Sequence, residues 1–233
     1  MISSILCVWK RRSILRSILP SLLFNFYYLP FKQAIKLPIL LYKPKFICLK
    51  GKIQINGPIF PGMICLGFNR VNVYPNNGIS WENRGGVVIF EGTANIGNNS
   101  FISVGEKGIL SIGLDFSCNS SLKCVCWNKI TIGEHTRVGW DVLFLDTSFH
   151  RLKCESGYFG KGYGTIEIGA NNWISTKCTV LSGAKTSNWT VAAACSLLNK
   201  SIPENRVLVG GSPAKILRTG VWRDISDDMV EIE

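Results

Sequence analysis

The stretch IGANNW-ISTKCT-VLSGAK-TSNWTV-AAACSL-LN, from Ile168 to Asn199, repeats every six residues. Ile168, Ile174, Val180, Thr186, Ala192 and Leu198 open successive hexads, and Asn172, Cys178, Ala184, Thr190 and Ser196 hold the fifth positions. A period of six is foreign to an α-helix, which repeats near 3.6, but it is a multiple of the strand period of about 2. Short strands that each send one apolar residue inward, with small residues at the second and fifth positions where the chain bends, predict a triangular coil of three hexads. A single coil cannot bury its own interior, so stability accumulates by stacking neighbours.

The same rhythm continues toward the amino terminus. Ile132-Gly133, Val138-Gly139 and Phe144 form one block, with Thr136 and Val142 at fifth positions, and Ile96-Gly97 and Ile102-Ser103 form another, with Ser100 in the matching place. Ile96, Ile132 and Ile168 are each 36 residues apart, a spacing of two 18-residue coils, although Leu110 to Lys129 fits the pattern poorly. A β-sandwich would show longer and less regular turn spacings. The expected fold is an all-β solenoid, a parallel β-helix over residues 51–218 with a loop excursion at about 151–164. A basic segment of short amphipathic helices (1–50) precedes it, and a tail (219–233) with a short C-terminal helix follows.

Charge is distributed as unevenly as the repeats. The 233 residues carry 26 Lys and Arg against 15 Asp and Glu, a net +11, yet the first acid is Glu82, and all of the excess lies ahead of it. From Glu82 onward bases and acids balance. A neutral body with a basic leading segment and no nucleic-acid reading motif argues against a nucleic-acid partner. Within that segment the longest uncharged run, Ser17 to Phe31, is interrupted by Pro20 and Pro30 and is too short to span a bilayer of about 20 apolar residues. No small-x-small cleavage site follows it, so a removed leader is not expected. Ile14, Ile18 and Leu22 recur at helical spacing opposite Arg11, Arg12 and Arg16, with Phe24, Phe26, Tyr27, Tyr28 and Phe31 beside them. Such a segment suits an anionic membrane interface, or else packs on the body or on a neighbouring subunit. The nine cysteines show no framework spacing and read as reduced thiols of a cytoplasmic protein, with Cys124 and Cys126 as small strand packers and not metal ligands.

Two histidines narrow the chemistry. His135 stands at the fourth, exposed position of its hexad. His150 ends the run Gly139-Trp140-Asp141-Val142-Leu143-Phe144-Leu145-Asp146-Thr147-Ser148-Phe149-His150, where the hexads dissolve into the Gly- and Tyr-rich excursion. An imidazole there can take a proton from an attacking hydroxyl, and Asp146 or Asp141 on the same run is the expected partner for its second ring nitrogen.

With these hexads, His150 and the closing run Val209-Gly210-Gly211-Ser212-Pro213-Ala214-Lys215, residues 87–218 resemble the left-handed β-helix, hexapeptide-repeat acyltransferases. The likeness is strongest to bacterial surface-polysaccharide O-acetyltransferases and to maltose and galactoside acetyltransferases. That resemblance implies transfer of an acetyl group from acetyl-CoA to a carbohydrate hydroxyl, without a metal, and with His150 as general base. Relatives show two acids in an Asp-Thr-Asp-x-His arrangement, whereas Ser148 stands at the second here. The resemblance further implies that Ala192, Ala193 and Ala194 lie along the pantetheine arm, with Pro213 and Ala214 near the cofactor and Lys200, Lys215 and Arg218 available to its phosphates. Trp140, Asp141 and Trp173, the last in an Asn-x-Trp-Ile corner, are candidate acceptor contacts, although corner aromatics also pack between subunits. Relatives are homotrimers with sites between subunits. N-acetylation of an amino sugar or antibiotic, and a non-catalytic scaffold, are the competing readings.

Overall fold

A computed structural model describes residues 17–69 and 73–224. Apart from a small two-stranded hairpin, the strands fall into three sheets that the chain visits in turn, called A, B and C here. Sheet A has nine strands and runs from Ile39–Leu41 to Val207–Gly211, with Ala214–Thr219 returning antiparallel at its far edge. Sheets B and C have seven strands each, from Pro44–Leu49 to Leu197–Leu198 and from Lys52–Ile55 to Ser201–Ile202. Every strand-to-strand step along the stack is parallel up to that last return. The result is a triangular prism with three long edges, AB, BC and CA, where the chain turns from one sheet to the next.

The hexads explain why the prism closes. Ile168, Ile174, Val180, Ala192 and Leu198 are buried at 3% exposure or less, and so are the fifth-position residues Asn172, Cys178, Ala184, Thr190 and Ser196. First positions fill the interior from each face, and fifth positions turn inward at the edges. Each fully buried Ile or Val contributes about 1.5–3 kcal/mol of transfer free energy, so the stack rests on this apolar column. Second-position glycines are there for clearance: a Cβ on Gly97 would lie 1.3 Å from the Asn119 carbonyl oxygen, and one on Gly169 would lie 2.5 Å from Ser187 backbone carbon.

Expectations change at several points. The equal 36-residue spacings have different causes. Ile132 pairs directly with Ile168 on sheet C, so those residues form one coil plus the excursion, whereas Ile96 belongs to sheet A through Cys118 and Val138 and does not stack with Ile132. The boundary at residue 51 falls inside the first coil, because Ile39–Leu41 and Pro44–Leu49 already pair in register with Ile64–Leu66 and Ile79–Asn83. After Pro213 the chain pairs with the open sheet edge as the strand Ala214–Thr219, and the expected C-terminal helix falls largely in the tail from 225, which lies outside the described residues.

At the other end, residues 17–28 are helical and a short helix follows at Phe31–Ala34. The described helix runs through Pro20 without the expected break, while Pro30 does coincide with the end of the first helix. Residues 1–16, including Arg11, Arg12, Ile14 and Arg16, lie outside the described residues.

Candidate active site

His150 sits on edge BC, between Leu143–Leu145 of sheet B and Thr165–Ile168 of sheet C, at the root of the excursion. The excursion folds as a hairpin in which Leu152–Cys154 pairs with Gly157–Phe159. Its root is pinned at Gly162, whose carbonyl accepts the Ser148 N–H at 2.8 Å and the Thr147 hydroxyl at 3.2 Å, while the Ser148 hydroxyl donates to the His150 carbonyl at 2.7 Å. The chain around the histidine is thus tied down, and its imidazole is exposed with no hydrogen-bond partner among the described residues.

Asp146 is fully buried, and its carboxylate faces the coil beneath: Oδ1 accepts the Trp127 N–H and Oδ2 the Asn128 N–H, both at 2.8 Å. Burial pushes this carboxyl above the usual range, against the opposing pull of those amides. No hydrogen bond joins Asp146 to His150, so its influence on the imidazole runs through the three residues between them. Trp127, which the sequence reading missed, packs edge-on to Phe149 at 5.0 Å directly below the loop root and buries its indole N–H without a partner. Its only sequence signal is a lone tryptophan closing the strand Lys123–Cys126. Cys124 and Cys126 on that strand are buried, and burial pushes both thiols up, as expected of packers.

Other candidate residues, from both the acceptor and the cofactor sets, gather elsewhere. Trp140 and Asp141, Ala193 and Ala194, and the Gly210–Pro213 turn stack along edge AB. A Cβ on Gly210 would come within 3.2 Å of the Ala193 Cβ. Lys177 N–H and the Thr176 hydroxyl both donate to the Trp140 carbonyl, at 2.7 and 3.0 Å, and the buried Trp140 indole N–H has no partner. Residues 73–78 reach the same edge and bring the Tyr74 hydroxyl to Asp141 Oδ2 at 2.6 Å. Lys215 pairs beside Gly210, with Arg218 farther along the strand opposite Leu208. Other predicted residues are not part of this group. The side chains of Ala192 and Ala214 are buried, Lys200 lies on edge BC, and Trp173 lies on the outer face of sheet A between Arg137 and Val191. His135 is held by Asp115 at 3.1 Å on edge CA, and Asp115 and Arg137 line a hollow of about 280 Å³ that none of the predicted site residues enters.

The prism and its edges have counterparts. Over 143 residues the chain is 28% identical to the putative lipopolysaccharide biosynthesis O-acetyl transferase WbbJ of Escherichia coli K12, covering 55% of this chain and 72% of that protein. It is 29% identical to the galactoside O-acetyltransferase of the same organism over 56% of this chain and 66% of that protein. The chain resembles the hexapeptide-repeat acyltransferases. No family profile matches the chain. The solved polySia-specific acetyltransferase NeuO superimposes with a TM-score of 0.53 at 14% identity, over 80% of this chain and 92% of NeuO, and shares the left-handed β-helix. In this acyltransferase the histidine and the small-residue surface therefore occupy two different edges of one prism.

Proposed function

We propose that the protein moves an acetyl group from acetyl-CoA to a hydroxyl of a carbohydrate in capsular, exopolysaccharide or lipopolysaccharide biosynthesis, with His150 as general base. The observation that carries this reading is His150 itself, a free imidazole on a pinned loop root at the edge of an acyltransferase solenoid. The relatives that act on lipopolysaccharide and galactosides support a sugar acceptor. The AB edge, exposed at Ala194 and Gly211 and half-buried at Ala193, suits an extended pantetheine arm, with Lys215 and Arg218 exposed for phosphates.

Bound acetyl-CoA supplies the acetyl carbon as a thioester. His150 accepts the proton of the acceptor hydroxyl as that oxygen forms its bond to the carbonyl carbon, and then returns a proton to the departing sulfur as the C–S bond breaks. Negative charge growing on the carbonyl oxygen needs an aimed donor, and the uncommitted Trp140 N–H is the candidate on this chain. Ser148 is less suited, since its hydroxyl is already spent on the loop root. Asp146 acts as a positioning residue that holds the start of the loop to the coil below.

Because His150 and the AB surface belong to different edges, we assign the complete site to two copies of the chain, edge BC of one facing edge AB of the next, in a closed homotrimer. The basic leading segment would hold this assembly at the inner face of the cytoplasmic membrane. The test is purified protein with acetyl-CoA and a panel of sugar and amine acceptors, read by free-thiol release. Turnover with hydroxyl acceptors that His150→Ala abolishes supports the reading; turnover with amines alone points to N-acetylation, and none at all to a scaffold.

A further inference from the structure

The helix over 17–28 is built inside out. A helix at a protein surface normally buries its apolar stripe and shows its polar one. Here Ser17, Ser21 and Asn25 are buried on the body together with Phe24, while Ile18, Leu19, Leu23, Phe26 and Tyr27 face outward. The polar side chains have a definite task. Asn25 Nδ2 donates to the Ile39 carbonyl at 2.7 Å, the Ile39 N–H donates to Asn25 Oδ1 at 3.2 Å, and the Leu41 N–H donates to the Ser21 hydroxyl at 2.8 Å. They satisfy the open edge of the first sheet A strand, and among the described residues nothing covers the outward apolar side chains.

Leu19 is 65% exposed, Leu23 64% and Phe31 69%, with Ile35 on the short helix beside them. Around this face Lys32, Lys36, Lys43 and Lys45 are exposed, and the chain has no Asp or Glu before Glu82. Apolar and aromatic side chains flanked by lysines, with no acid to repel anionic headgroups, match the chemistry of an anionic lipid surface. No described helix is long and apolar enough to cross a membrane, so the contact is one of lying on the surface.

We propose that the outward face of residues 17–35 docks on an anionic bilayer, with Leu19, Leu23, Phe26 and Phe31 entering the headgroup boundary and Lys32 and Lys36 meeting the phosphates. This deepens the peripheral location proposed above and stands apart from acetyl transfer. The test is co-sedimentation of the full chain with phosphatidylcholine vesicles, with and without phosphatidylglycerol. Expected is binding to the anionic vesicles alone, weakened by high salt, weakened about 10-fold or more in Leu19→Ser/Leu23→Ser, and weakened comparably in Lys32→Glu/Lys36→Glu. All four positions are exposed, so thermal unfolding and turnover of a soluble acceptor should persist in both variants. Absence of vesicle binding overturns the proposal and leaves the chemistry standing. So does a drop in sedimenting mass of Leu19→Ser/Leu23→Ser without vesicles, which would mean that a second copy of the chain covers this face.

Discussion

The Tyr74 hydroxyl donates to Asp141 Oδ2 at 2.6 Å across 67 residues of chain, tying residues 73–78 to the AB edge beside Trp140. The carboxylate as acceptor pushes the Tyr74 phenol up to about 12, so it stays a donor throughout the working range of pH. Tyr74→Phe removes a bond worth about 0.5–1.5 kcal/mol. If Asp141 contacts the acceptor, the acceptor KM rises about 2- to 10-fold with kcat nearly unchanged. Steady-state kinetics at saturating acetyl-CoA decide this, and an unmoved KM removes Asp141 from the acceptor site.

His150→Ala is expected to lower kcat/KM by about 10²- to 10⁴-fold, the usual contribution of a positioned general base. Because the ring is exposed and unbonded, the melting temperature should not move. A melting shift together with a small rate loss would assign the ring to the fold.

Assembly of the site from two subunits predicts complementation. His150→Ala and Ala194→Trp damage edges BC and AB, and each trimer alone is inactive. After dissociation and co-refolding, random mixing pairs an intact BC edge with an intact AB edge in roughly a quarter of the sites. Recovery of about that fraction of wild-type activity is expected; no recovery would mean that both edges of one subunit serve the same site.

Asp146→Ala leaves the Trp127 and Asn128 amides without their acceptors and should cost about 2–4 kcal/mol in denaturant unfolding. The pH dependence has a definite sign. Burial raises the Asp146 carboxyl above its unfolded value of about 4, so the folded state binds the proton more tightly than the unfolded chain. The stability difference between wild type and Asp146→Asn should therefore shrink as pH rises from about 4 through the raised value. A difference that grows with pH would show that the two amides outweigh burial.

The hexads over Ile168–Leu198 were legible because each coil there is near 18 residues, as in Trp173 pairing with Val191 and Thr179 with Leu197. The first coils were not. Lys52 pairs with Val87 and Ile64 with Ala94, 35 and 30 residues apart, because extra residues leave the prism at its edges and erase the period. His150 stood out as the residue at which a regular pattern ends. The Tyr74–Asp141 bond, the place of Trp127 under Phe149 and the inward turn of Asp146 depend on which coil lies above which, and a one-dimensional period carries no such information. The inverted helix was hidden for a related reason. Periodicity shows that its residues sort onto faces, and only the unpaired edge of Ile39–Leu41 decides which face turns inward.

That edge also bears on how long the prism can be. Stacked parallel coils end in rows of unpaired backbone groups, a template on which another copy can add end to end. Ser21 and Asn25 occupy one terminus of sheet A, and at the other Ala214–Thr219 folds back antiparallel, so the next strand would meet a reversed polarity. On this sheet the molecule carries its own stops against growing into a fibre.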